Sequence, residues 1–205
     1  VRNNKMKKLY QSAILLPFLM SMVILSYIVY ALLSSENGLI NNTILSALGK
    51  EPVQWYQQPK YWPFILVFAN CWKGVGYGCL IYIASIIGID LSYYEAASLD
   101  GATKWQQITK ITLPSLVPTI ITLLLLNIGR IFYSDFGLFY QVPMNSGVLF
   151  PTTNVIDTYV YRALIERGNI SMSSAAGVYQ SIVGFAIVML SNWVVRKVDK
   201  EQALF

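Results

Sequence analysis

The stretch Glu95-Ala96-Ala97-Ser98-Leu99-Asp100-Gly101-Ala102-Thr103-Lys104-Trp105-Gln106-Gln107-Ile108-Thr109-Lys110-Ile111-Thr112-Leu113-Pro114 is polar, charged and helix-forming, and long apolar runs flank it. A chain that keeps such a segment between two membrane spans keeps it in water, where a partner can touch it. Glu95, Ala96 and Ala97 are good helix formers. Ser92, with Glu95 three residues on, has capping-box spacing, which predicts a helix start near Tyr93. Gly101 tolerates left-handed backbone angles and suits a sharp turn. Trp105, Ile108 and Ile111 recur at spacings of three, as a second short helix requires. Asp100 is a candidate cap for that helix. Pro114 ends it or opens the next element. The expected product is a helix-turn-helix knob, although on pattern alone an ordinary loop with some helix content fits equally well.

The rest of the composition points to a bilayer. Of the 205 residues, 55% are hydrophobic and only 12% are charged, about half the charge of an ordinary soluble domain. There is no His, so His-containing zinc sites, Ser-His-Asp triads and His proton relays are excluded. Cys71 and Cys79 lie in an apolar run and read as buried thiols, neither a disulfide nor a metal pair. The chain opens Val1-Arg2-Asn3-Asn4, without an initiator methionine or signal peptide, as the middle of a protein would.

Working outward, four runs are long and apolar enough to span, at about 12–33, 62–89, 114–133 and 174–195. Pro17 is a candidate kink in the first. Between the spans lie the polar segments 34–61 and 134–173 and the knob at 92–114. Within the polar segments, Leu39, Ile40, Ile44, Leu45 and Leu48, and then Val155, Ile156, Tyr159, Val160, Ala163 and Leu164, fall at helical spacing, which predicts two helices lying at the surface. The fold class is therefore all-α, a polytopic membrane protein with four spans. If the knob is cytoplasmic, both ends of the chain are too. That side then holds Arg2, Lys5, Lys7, Lys8, Lys104, Lys110, Arg196, Lys197 and Lys200, against Lys50, Lys60, Arg162 and Arg167 outside, in keeping with the positive-inside rule.

The spacing of the central stretch resembles the EAA signature of permease subunits in binding-protein-dependent ABC importers. Glu95-Ala96-Ala97 is followed by Gly101 four residues on, then nine residues, then Ile111-Thr112-Leu113-Pro114. Asp100, Ala102 and Pro118 match the version found in carbohydrate importers of the maltose type. The segments Gly38-Leu39-Ile40-Asn41-Asn42 and Val155-Ile156-Asp157-Thr158-Tyr159-Val160-Tyr161-Arg162, with Asn192-Trp193, look like the polysaccharide and aldouronate subgroup. Such permeases have six core spans, so the four seen here look like a permease lacking its first two.

The resemblance implies a type I importer permease in the bacterial plasma membrane that carries oligosaccharides. It implies two ABC ATPase subunits, a second permease subunit, an extracellular substrate-binding lipoprotein and membrane lipid as partners, with no nucleic acid. It implies no enzyme activity and no cofactor in this chain, ATP and Mg being bound by the ATPases. Glu95 would meet a basic residue in the ATPase cleft, Ala96 and Ala97 would allow close packing, and Gly101 would form the turn, with Asp100, Ala102, Ile111, Leu113 and Pro114 completing the coupling element. Consistently, Gly49-Lys50 is no phosphate loop: Ile44 stands where that motif needs Gly and Glu51 where it needs Ser or Thr.

Two cations lie at or within spans. Lys73, near the middle of its span, either lines a pathway or is paired structurally, because charge inside a membrane must face protein or water. Arg130 sits at a span end, where it can snorkel, with Asp135 a candidate partner. Tyr77, Tyr82, Tyr133 and Tyr140 would stack on sugars if they faced a pathway, but with 14 Tyr in the chain most belong to interface or core. The alternative function is a secondary transporter or channel for small solutes. The spans carry no Asp or Glu in their cores, which weighs against proton coupling.

Overall fold

A computed structural model describes residues 4–131 and 133–198. Arg2, Lys200 and Phe132 lie outside the described residues, as do the side chains of Lys5, Lys7 and Lys8. The described residues form helices joined by turns and short irregular segments, with no strand among them. It opens with α1 (Asn4–Leu19) and α2 (Met22–Leu33), followed by a π-helical turn (Ile40–Leu45) and two 3-10 turns that lead into α3 (Trp62–Ile87). Then come α4 (Leu91–Leu99) and α5 (Lys104–Gln107), which runs through a π-helical turn (Ile108–Thr112) into α6 (Leu113–Gly129). The short helices α7 (Phe136–Gln141), α8 (Phe150–Thr153) and α9 (Ile156–Ile165) precede the long α10 (Ile170–Val198). Among the described residues, three helices are long and apolar enough to cross a membrane: Pro59–Ile87, Lys104–Ile128 and Ile170–Lys197.

The first run, where Pro17 is a candidate kink, is the pair α1 and α2, which together are long and apolar enough for one span but are bent by 96° at the break between them. Pro17 lies inside α1 and has no N–H to continue the ladder. Ser21 then offers its own start signal, its Oγ accepting the N–H of Ile24 at 3.2 Å as the N-cap of α2. A proline followed by a cap, both in mid-span, ends one helix and begins another.

Two compact units are formed. One comprises Val1–Gly76 with Tyr133–Gln180, the other Tyr77–Phe132 with Ser181–Phe205. The core of the first lies where α2, α3 and the segment from α7 onward meet. α2 contributes Leu25, Val29 and Leu33, one residue per turn; α3 contributes Trp62, Leu66 and Ala69; Leu138, Val142 and Leu149 close the cluster. The opposite flanks expose large apolar side chains, Phe64 at 78% and Phe68 at 72%, which suits lipid better than water. Cys71 and Cys79 are free thiols on α3, and Cys71 is exposed, not buried, because α3 covers only one flank.

The polar segments of this unit knit together. Asn41, 1% exposed, accepts from the Val53 N–H and Trp55 Nε1, and donates to the Ser34 and Val53 carbonyls. Tyr56 Oη donates to the Val142 carbonyl at 3.2 Å, and Thr152 Oγ1 to that of Pro59 at 3.0 Å. Arg162, on the inward face of α9, donates to Asn145, Asn154 and Thr158 and lies over the Phe150 ring at 4.2 Å.

Candidate functional site

The segment between α3 and α6 is a rigid helix-turn-helix. Asp90 caps α4, its carboxylate accepting the Ser92 N–H at 2.9 Å. The helix therefore starts at Leu91 on an Asp90 cap, not on the Ser92 and Glu95 box that their spacing suggested. The Ser92 N–H holds the Asp90 carboxyl below the usual carboxylate range. Asp100 is the C-cap of α4, not a cap of the second helix. Gly101 follows at φ +76°, its N–H donating to Ser98 O, while Ala102 N–H donates to Ala97 O. This pair of bonds is a Schellman motif, and it needs a residue free of the Cβ penalty where Gly101 stands. The second helix starts on Thr103. Thr103 Oγ1 accepts from Gln106 N–H, and Gln106 Oε1 accepts from Thr103 N–H at 2.8 Å. That spacing, Thr-x-x-Gln, is itself a sequence signal.

Two contacts lock the arms together. Gln107, 4% exposed, donates through Nε2 to Ser98 Oγ at 2.8 Å. Tyr94 Oη and Thr112 Oγ1 share a hydrogen bond at 2.8 Å. Residues nine and 18 positions apart make these clamps, and no local pattern marks them. The outward side of α4 stays open. Leu91, Tyr94, Glu95, Ser98 and Leu99 border a depression of about 520 Å³, with Leu99 90% exposed. An exposed leucine beside an exposed carboxylate on a rigid helix offers both apolar area and charge to a partner.

The expected site residues divide by place. Glu95 and Ala96 are exposed on α4 and Ala97 is half-buried; Asp100, Gly101 and Ala102 form the turn. Ile111, Leu113 and Pro114 lie at the base, where the second arm continues unbroken into α6. Lys73 and Tyr77 lie one turn apart on α3. Lys73 Nζ donates to the carbonyls of Phe18, in the last turn of α1, and Met20, just past its end, and lies 5.7 Å from the Phe18 ring. Tyr77 is exposed. Arg130 is the exposed C-cap of α6, and Asp135 caps α7 by accepting the Leu138 N–H at 3.0 Å.

Similarity to known proteins runs over nearly all of this chain. It is 34% identical over 206 residues to the polygalacturonan/rhamnogalacturonan transport system permease protein YteP of Bacillus subtilis (strain 168), covering 98% of this chain and 62% of that protein. It is 31% identical over 201 residues to the protein LplB of the same organism, again covering 98% and 62%. The chain thus spans about 62% of the length of these curated relatives. Among solved structures, a chain of a bacterial alginate ABC transporter, in complex with an alginate pentasaccharide-bound periplasmic protein, superposes with a TM-score of 0.89 at 34% identity, over 98% of this chain and 68% of that one. The fold is the type I ABC permease fold. A model of the binding-protein-dependent transport system inner membrane component matches residues 1–200, and the chain belongs to that family.

Proposed function

We propose that this chain belongs to the translocation pathway of an ATP-driven importer of oligosaccharides. The observation that carries the reading is the clamped helix-turn-helix at residues 91–112, with Glu95 and Leu99 presented outward. A transmitter of motion must be stiff and must be reachable, and this segment is both. Two ABC ATPase subunits dock there and hold ATP and Mg. A second permease subunit completes the pathway, and an extracellular binding lipoprotein delivers substrate. The names of the relatives, concerned with polygalacturonan and alginate, support a saccharide as cargo. The membrane is the bacterial plasma membrane, with residues 91–112 and both ends of the chain on the cytoplasmic side, as the distribution of Lys and Arg supports. ATP closes the ATPase pair, the docked segments move with it, and the spans alternate between outward and inward access.

The test is co-purification. The full-length permease is expressed with its ATPase and second permease, then solubilised in mild detergent. Wild type retains the ATPase, and Glu95→Lys loses it. Gly101→Pro, which forbids the left-handed turn, keeps binding-protein docking but uncouples hydrolysis from uptake. Retention in neither wild type nor variant would reopen the reading as a secondary transporter or channel.

A further inference from the structure

We propose that the C-terminal end of α2 carries a binding site for a neutral saccharide, built from two tyrosines and a polar turn. The chain leaves α2 at Leu33 and folds straight back. Gly38 N–H donates to the Ser34 carbonyl at 3.0 Å, and a Cβ at Gly38 would collide with the backbone of Ser34 and Leu32. The fold-back leaves a depression of about 550 Å³ lined by Tyr30, Ser34, Ser35, Glu36, Asn37 and Tyr56.

One wall is aromatic and preset. Tyr30 and Tyr56 meet edge to face with centroids 5.6 Å apart. Tyr56 is wedged against Trp62 at 4.9 Å, and its hydroxyl is tied to the Val142 carbonyl at 3.2 Å. Burial pushes the Tyr56 hydroxyl well above its ordinary value, so it stays a neutral donor. The other wall is polar and unspent. The hydroxyls of Tyr30, Ser34 and Ser35, the Glu36 carboxylate and the Asn37 amide make no hydrogen bond among the described residues. Aromatic rings beside convergent, unused donors and acceptors suit a ligand with one apolar face and a rim of hydroxyls. A sugar ring has that form.

Charge narrows the class. The lining contains no Lys or Arg, and its one ionisable acid is Glu36. A uronate or phosphate would set a second negative charge beside that carboxylate. A lone carboxylate is also short of the oxygen set that a divalent ion needs. The ligand is therefore an uncharged saccharide, whatever the charge of the cargo. Only the side of the membrane on which the site opens rests on the importer reading. On that reading it is the outer side, since one span, Pro59–Ile87, lies along the chain between this turn and residues 91–112.

The experiment uses the full-length permease assembled with its partners in lipid nanodiscs, without the binding protein. Cellotriose and trigalacturonate are titrated by calorimetry. Cellotriose binds, and trigalacturonate binds at least about tenfold more weakly. Glu36→Gln weakens cellotriose about tenfold, the loss of one charge-assisted hydrogen bond. Ala31→Trp fills the depression and abolishes binding; both positions are exposed, so folding is not at stake. No binding of cellotriose, equal binding of trigalacturonate, or unchanged affinity in both variants overturns the proposal. ATPase retention is scored on the same preparations. Retention without sugar binding overturns the site alone, whereas variant-sensitive sugar binding without retention overturns the importer reading and keeps the site.

Discussion

Lys73 shows what a charge inside a span does here. Its ammonium donates to the Phe18 and Met20 carbonyls, at the break after α1. The sequence left two roles open, pathway lining and structural pairing, and the geometry supports the second. Lys73→Met removes both charge-assisted hydrogen bonds and should lower stability by about 1–3 kcal/mol, seen as an earlier melting transition in detergent. Lys73→Arg keeps donors in reach and should recover most of it. A Met variant that melts like wild type but fails to transport would restore the pathway role. Gly76, one turn further along α3, is constrained from the same side: a Cβ there would run into the Ile14 backbone. Gly76→Leu should therefore separate α1 from α3 and expose the α1 region to proteolysis in detergent.

At the scale of the element, α4 is held at its two ends by different devices. Its C-terminal end depends on the left-handed Gly101, its N-terminal end on the Asp90 carboxylate. The Asp90 pKa is depressed on folding, so its contribution is complete above the unfolded value and is lost as pH falls through the lower, folded one. Hydrogen exchange in the first turn of α4 should accordingly quicken below the ordinary Asp pKa of 3.8, beyond the intrinsic change with pH. In Asp90→Asn, which caps without titrating, that extra quickening should vanish; if it persists, another group controls the helix. On the second arm, Thr103→Ala removes the capping box and should cost about 1 kcal/mol of helix stability, read as faster exchange at Gln106.

At the scale of the whole molecule, the buried Asn41 ties two stretches of the polar region together, one at Ser34 and the other at Val53 and Trp55. Asn41→Leu preserves size but leaves the Val53 N–H and Trp55 Nε1 without their acceptor, a penalty of about 1–3 kcal/mol for each group left unsatisfied. Residues 34–61 should become protease-sensitive in that variant while ATPase retention persists. Loss of both together would mean that the polar region and the docking segment fold as one cooperative body. Neither Asn41 nor the buried Arg162 stood out as a brace in the sequence, since their partners are distant in the chain or lie on turns that no periodicity reports.

The sequence by itself determined the all-α membrane class, because apolar runs of span length have no other way to satisfy their backbone in lipid. It also determined the form of the helix-turn-helix, because caps and a left-handed glycine act on bonds only three to five residues apart. Tertiary structure decided the rest. Pro17 marked a weak point, but only the packed structure turned it into a 96° break with Lys73, 53 and 55 residues away, donating to the carbonyls beside it. The clamps from Gln107 to Ser98 and from Tyr94 to Thr112, and the aromatic wall beside Glu36, arise the same way. Each joins side chains that no helical period aligns, so each exists only once packing has fixed the backbones that carry them.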